Sequence, residues 1–437
     1  MSRQQQHVRS FTHIARDQYS NAIADLLVSS VVRAMDKKNI IVIGASLAGL
    51  LQSHSILKHI IPKFPSYRVV LINPSADFYF VVGGPRAIID GKLVADEKVF
   101  LLIADGFQQY DPDSYEIIQG MVVHVDLNDR TLEYRDRLNG SSHLAFAALV
   151  FASGGRTPSP LFTPYPSTTQ TKDALQRIRN ALPKARTVIK SGGGPCGVEC
   201  AGEIGHFLNG NNGSASAQVI IVTSNSRLLP SLSEAAAARA EQYLHMLGAS
   251  VIYGAKVIKT VPEDAGRTLG TLDQPAELYL NDGRTLEADI YIPAWHGTPT
   301  TSYVPAKILT PSGHVHINQS TLRVDDAGPR VYALGECSSD FKGGSKAITA
   351  MTGVITFNLR RDVYAAEGRT GQGAAKDTHY AHNAKATQFV PVGRDRGVGQ
   401  FNGWWLPSWA VWILKSRTYM IGIASWYLYG TLVRWEL

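Results

Sequence analysis

Cysteine is scarce in this chain, with three in 437 residues: Cys196, Cys200 and Cys337. None of them forms the CxxC or CxxxxC spacing of a redox dithiol, so electron transfer through a cysteine couple is excluded. No secretory leader is read, so the thiols are expected to be reduced and the protein intracellular. Cys196 and Cys200 read as packing residues, although the helix N-terminus near Cys196 is a place where a thiol pKa can fall. The 13 histidines have no ligand spacing with cysteine or acids, and no metal is expected. Charge is sparse too, at 18%. No basic cluster exceeds a Lys-Lys or Arg-Arg pair, which argues against nucleic acid as a partner. Long apolar runs are missing as well. The uncharged stretch 418–433 that follows Lys415 and Arg417 is short for a membrane span.

Glycine, by contrast, is abundant and placed. The apolar run Thr187-Val188-Ile189 leads into Ser191-Gly192-Gly193-Gly194-Pro195-Cys196-Gly197 and then a helical pattern. Strand, glycine turn and helix N-terminus together form a cradle for a dinucleotide pyrophosphate, where free N–H groups and the helix dipole face the phosphates. A second such frame lies upstream, Asn39–Ile43 followed by Gly44-Ala45-Ser46-Leu47-Ala48-Gly49, with Ser46 in place of the middle glycine. The next strand ends at Asn73, where a ribose-binding acid would stand; Asn still hydrogen-bonds a hydroxyl. One GxGxxG is weak evidence, and two in correct frames predict two dinucleotide sites.

Two sites imply a flavin and a nicotinamide. Leu149–Gly155, with Ala152, Ser153 and Gly154 at its end, has the form of a strand returning between two nucleotide domains. Val331–Glu336 has the form of a late flavin motif, with Gly335 and the acid Glu336 after an apolar strand. After the strand Val219–Val222 come Ser224 and Arg227, where an NAD-specific site would carry an acid; NADPH is therefore permitted.

The predicted fold is α/β: two Rossmann-like dinucleotide-binding domains of the glutathione-reductase-like pyridine nucleotide flavoprotein type, plus a small C-terminal α+β domain. The expected boundaries are an N-terminal extension at 1–38, an FAD-binding domain at 39–158 and 299–370, an NAD(P)H-binding domain at 159–298, and a C-terminal domain at 371–437. The extension is expected to be helical, packed or interfacial, with a mitochondrial presequence left open. Six of the seven tryptophans lie after residue 403. Aromatics with flanking Lys and Arg suit a membrane headgroup boundary, and net basic charge at both chain ends suits an anionic one. A packed aromatic domain or a homodimer surface is the alternative.

With these landmarks placed, the chain resembles the apoptosis-inducing-factor-like flavoproteins, nearest their mitochondrion-associated second member, and more distantly the type II NADH dehydrogenases. The resemblance spans about 39–437. Its most specific parts are Gly192–Glu203, the run Gly393-Arg394-Asp395-Arg396-Gly397-Val398-Gly399-Gln400-Phe401-Asn402-Gly403, and Leu414-Lys415-Ser416-Arg417. It implies non-covalent FAD, NAD(P)H as hydride donor, a quinone or other small acceptor, and attachment to a mitochondrial or other membrane surface. By the same resemblance Gly44, Ala45, Ser46, Ala48, Gly49, Asn73, Arg86, Val123, Ala152, Ser153, Gly154, Gly335, Glu336 and Ala347 hold FAD. Gly192, Gly194, Pro195, Gly197, Glu199, Glu203, Ser224, Arg227 and Gly297 frame the nicotinamide nucleotide. Lys346 and Glu199 are the expected catalytic residues, with Lys346 stabilising the reduced flavin.

Three departures qualify the resemblance. Met1-Ser2-Arg3 lacks the glycine needed for myristoylation, so no such lipid anchor is expected there. Ser46 and Asn73 differ from the usual flavin-site residues. Ala294–Pro299 departs from the family pattern, and its His296 reads as a structural histidine, with a proton relay as the alternative. Two rival activities remain open: an oxygen-using or tailoring flavoenzyme, although no FxGxxxH fingerprint is present, and a redox-sensing signalling flavoprotein.

Overall fold

The computed structural model describes residues 37–163, 167–210, 216–295, 297–341, 343–369, 376–382 and 385–433. The helix expected before residue 37, and His296, lie outside them.

The near-continuous apolar run Lys38–Ile43 becomes a central parallel strand because it is buried from both faces. It pairs with Tyr67–Asn73 on one side and Ala148–Phe151 on the other, and Val331–Ala333 extends the sheet beyond Ala148–Phe151. On the far side Tyr115–Asp126 adds in parallel, then turns outward into an antiparallel meander with Thr131–Asp136 and Ser141–Ala145. The helices Leu47–His59 and Ser345–Ala366 cover this sheet and pack on each other through a buried polar seam, where Gln52 and Ser55 hydrogen-bond Thr356 at 3.1 and 2.8 Å.

The second unit repeats the plan. Thr187–Ser191 is flanked in parallel by Gln218–Val222 and Ile290–Pro293, and Ala249–Ile252 extends the sheet. Three antiparallel strands, Val257–Val261, Ala276–Leu280 and Thr285–Ala288, cover one face and enclose a small separate core. The Pro195–Asn209 helix covers the other face. In both sheets the strand before the glycine turn has neighbours reached by connections running in opposite directions. That is the switch point at which open α/β sheets bind ligands.

The C-terminal unit is a three-stranded antiparallel sheet, Gln388–Val392, Arg396–Phe401 and Trp404–Leu406, followed by short helices. It rests on the Pro195–Asn209 helix. An added side chain at Gly202 would lie 2.6 Å from the backbone nitrogen of Gly393, so only glycine lets the two approach. The chain then crosses to the first domain, where Leu428 and Gly430 settle against His54. Among the described residues no helix is long and apolar enough to cross a membrane.

Candidate functional site

At the second glycine turn, Gly192 adopts φ +109°, and a side chain there would lie 2.4 Å from the Ala294 carbonyl oxygen. Gly197 is equally constrained, since its missing Cβ would fall 1.9 Å from the Gly192 oxygen. Gly194 is different. It caps the helix in an ordinary extended conformation, and no atom stands within 4 Å of where its side chain would be. Two glycines are therefore required by the fold, and the middle one leaves open space at a helix N-terminus, which is what an approaching pyrophosphate needs. Gly194→Val should accordingly fold normally and retain FAD, while NAD+ binding weakens by at least tenfold in a titration of the oxidised protein. A lowered melting temperature would instead make Gly194 structural.

The first turn repeats these constraints at Gly44 and Gly49. Ser46 is exposed at the N-cap of Leu47–His59, and its side chain makes no capping bond. Asn73 has a role the sequence did not suggest. Its Oδ1 accepts from the Ala45 backbone N–H at 3.0 Å and its Nδ2 donates to the Ser75 carbonyl at 2.7 Å, so the side chain braces the turn. Ala48 touches the turn at Gly335, where an added Cβ would come within 3.2 Å of it. Ala152, Ser153 and Gly154 follow the neighbouring strand end, with the Ser153 hydroxyl donating to the Thr300 carbonyl at 2.6 Å. Glu336 is exposed and its carboxylate lies beside Gly155, while Val123 sits at an irregularity in its strand beyond Gln119, the partner of Asn73. These groups ring one end of the first sheet and fit a flavin dinucleotide. Gly297 permits close passage of the Arg156 carbonyl, and Ser224 is exposed after its strand.

Two expectations need correction. Arg86 does not present its guanidinium to a cofactor: Nε and Nη2 bind both Glu203 oxygens at 3.0 and 2.7 Å, and Nη1 donates to the Arg417 carbonyl at 3.2 Å. Arg227 is not free for a 2′-phosphate, because it donates to the carbonyls of Leu229, Pro230 and Leu232, satisfying its own loop. The Cys196 thiol is not lowered; burial pushes it up, outweighing the nearby Lys190 charge. That leaves Cys196 a packing residue.

Glu199 and Glu203 stand one helical turn apart, both buried. Each takes a cation from a different domain. Glu203 binds Arg86 of the first domain, and Glu199 binds Lys415 of the C-terminal unit at 2.5 Å. Tyr419 lies between them, its ring 4.6 Å from the Arg86 guanidinium and 5.8 Å from the Lys415 ammonium. Burial raises the Glu199 carboxyl, opposed by Lys415. Lys346 is elsewhere. It starts the Ser345–Ala366 helix, exposed, with Nζ donating to Asn402 Oδ1 at 2.7 Å and lying 5.8 Å over the Phe401 ring. No hydrogen bond or ion pair joins the two expected catalytic residues. Lys415 was read only as part of a resembling run, and Lys190 went unread; a lysine inside an otherwise apolar buried strand was the available signal. Among the described residues no group of His, Cys, Asp or Glu is arranged to hold a metal.

Two switch-point cradles, one in each sheet, define a two-nucleotide flavoprotein. The chain belongs to the pyridine nucleotide-disulphide oxidoreductase family, which matches residues 38–353. It is an oxidoreductase whose cofactors are FAD and NAD(P)H. It is similar to Oxidoreductase phnG of Penicillium herquei, 34% identical over 398 residues, covering 89% of this chain and 95% of that protein. Ferroptosis suppressor protein 1 of Xenopus laevis is 23% identical over 413 residues, covering 91% and 98%. Among solved structures, the sulfide:quinone oxidoreductase of Aquifex aeolicus aligns with a TM-score of 0.67 at 13% identity, covering 91% of this chain and 92% of that one.

Proposed function

We propose that this protein passes electrons from NAD(P)H through FAD to a quinone-type acceptor, working at a membrane surface. The observation that carries the reading is the contact between Lys346 and the Phe401–Trp404 hairpin tip. In that hairpin and the helix that follows, Phe401, Trp404, Trp405 and Trp409 are 49, 78, 59 and 66% exposed, and Ile413 and Leu414 are exposed as well. Exposed aromatics in this number on one hairpin and the helix after it suit a planar apolar acceptor or the lipid that carries it. Lys346, Lys385 and Arg417 are exposed nearby in sequence or contact, adding attraction to anionic headgroups. A solved structure of like fold, the sulfide:quinone oxidoreductase of Aquifex aeolicus, is compatible with this reading.

Anaerobic addition of NADH or NADPH to the holoprotein should bleach the flavin, and a short-chain ubiquinone should restore its colour rapidly. Recovery with oxygen alone would move the assignment to an oxygen-using enzyme. In parallel, Trp404→Ala/Trp405→Ala/Trp409→Ala should reduce binding to anionic liposomes by at least tenfold while leaving bleaching by NADH intact. Undiminished liposome binding would remove the membrane from the proposal.

A further inference from the structure

Lys190 is fully buried in the Thr187–Ser191 strand. Its neighbour Ser191 turns to the small second core, hydrogen-bonding Tyr291, while Val188 packs into the main core. Alternation along the strand sends Lys190 with Val188, toward the Pro195–Asn209 helix. Nζ lies 3.8 Å from where a Gly197 side chain would begin, and 5.4 Å from the centroid of Phe162 in the interdomain connection. No hydrogen-bond acceptor reaches it. Its charge acts on Cys196, Glu199 and Cys200.

Charge bookkeeping makes this group unusual. In this cluster the cations are the buried Arg86 and Lys190 and the half-buried Lys415, whereas the anions are the buried Glu199 and Glu203, each already paired with Lys415 or Arg86. Burial pushes the thiols of Cys196 and Cys200 and the hydroxyl of Tyr419 upward, so none of them supplies a compensating anion. One positive charge is left over. An unpaired buried ammonium is costly, and valine or isoleucine would serve the strand better. Such local misfits are characteristic of functional sites.

We infer that Lys190 is an electrostatic residue of the redox centre, holding an uncompensated positive charge that favours the negative charge gained by the flavin on reduction. The inference rests on the proposed hydride path. The hydride leaving nicotinamide C4 carries two electrons and one proton to flavin N5. The nicotinamide becomes a cation, and the reduced flavin stays anionic until it takes a second proton. Lys190 acts only through its field.

The test is the flavin potential of Lys190→Met and Lys190→Gln holoproteins, equilibrated anaerobically with a reference dye and an enzymatic reductant that is not NAD(P)H. Both variants should lower the equilibrium constant for two-electron reduction at least tenfold, which corresponds to about 30 mV. FAD content should be unchanged and the melting temperature equal or higher, because an unpaired charge has been removed. An unaltered potential in both FAD-loaded variants would overturn the inference. So would an unaltered potential with weakened NADH affinity, which would assign the ammonium to the pyrophosphate. The dye titration is independent of nicotinamide oxidation. A wild-type flavin that NADH fails to bleach would therefore sink the proposed function and leave the role of Lys190 to be decided by the potentials.

Discussion

Replacing Arg86 by methionine should destabilise the protein by about 3–5 kcal/mol, the cost of leaving a buried carboxylate without its cation. Glu203 is 1% exposed and Arg86 9% exposed, so water screens neither. Arg86 binds both carboxylate oxygens in a fork, and it also holds the Arg417 carbonyl and stacks on Tyr419. Lysine supplies a single point charge, so Arg86→Lys should recover only part of the loss. The double variant Arg86→Met/Glu203→Leu should recover most of it, because it leaves no orphaned charge. Thermal and chaotrope unfolding of the four proteins would check this. A single variant as stable as wild type would mean that Glu203 is reached by water or protonated.

Acidification should loosen the C-terminal segment through His54. This ring is fully buried, stacked on Phe107 with centroids 4.6 Å apart. It bridges Tyr110 Oη at 2.9 Å and the Leu428 carbonyl at 2.7 Å. The carbonyl can only accept, so Nε2 carries the hydrogen and Nδ1 accepts from the tyrosine. Burial lowers the pKa from 6.5 to about 4, with the Leu428 bond opposing and the Lys58 charge assisting. Between those values the unfolded chain binds a proton that the folded chain refuses, so stability rises with pH across the window and is lost as pH falls through it. At about 1.4 kcal/mol per pH unit the whole window amounts to about 3.5 kcal/mol. His54→Gln should therefore flatten the difference between chaotrope midpoints at pH 7 and pH 4.5. A difference as steep as that of wild type would place the acid sensitivity in other groups.

Both glycine turns and the strand ends at Gly154 and Gly335 were legible because each is written within a few consecutive residues. Period, turn chemistry and helix start agree there, and agreement across local signals is what a sequence displays directly. The pairings were not legible. Glu199 and Lys415 are 216 residues apart, and Arg86 and Glu203 are 117 apart. Arg86 and Arg227 were read by position relative to a motif, which fixes where a side chain starts but not which carbonyl or carboxylate captures it. Asn73 was read as a ribose ligand for the same reason, yet the nearer Ala45 amide claims its oxygen. Lys346 was read by resemblance alone, and its Asn402 contact depended on a hairpin 56 residues away.

The helix that carries Glu199 and Glu203 also has a consequence for biosynthesis. A ribosome delivers these carboxylates and Arg86 well before Lys415 and Tyr419, so a nascent chain holding both nucleotide domains has one acid matched and the other waiting. The final segment must then dock onto a surface that is charged until it arrives. A chaperone or protease would meet an incomplete intermediate with an exposed acidic seam, and truncation before residue 415 would make that intermediate permanent.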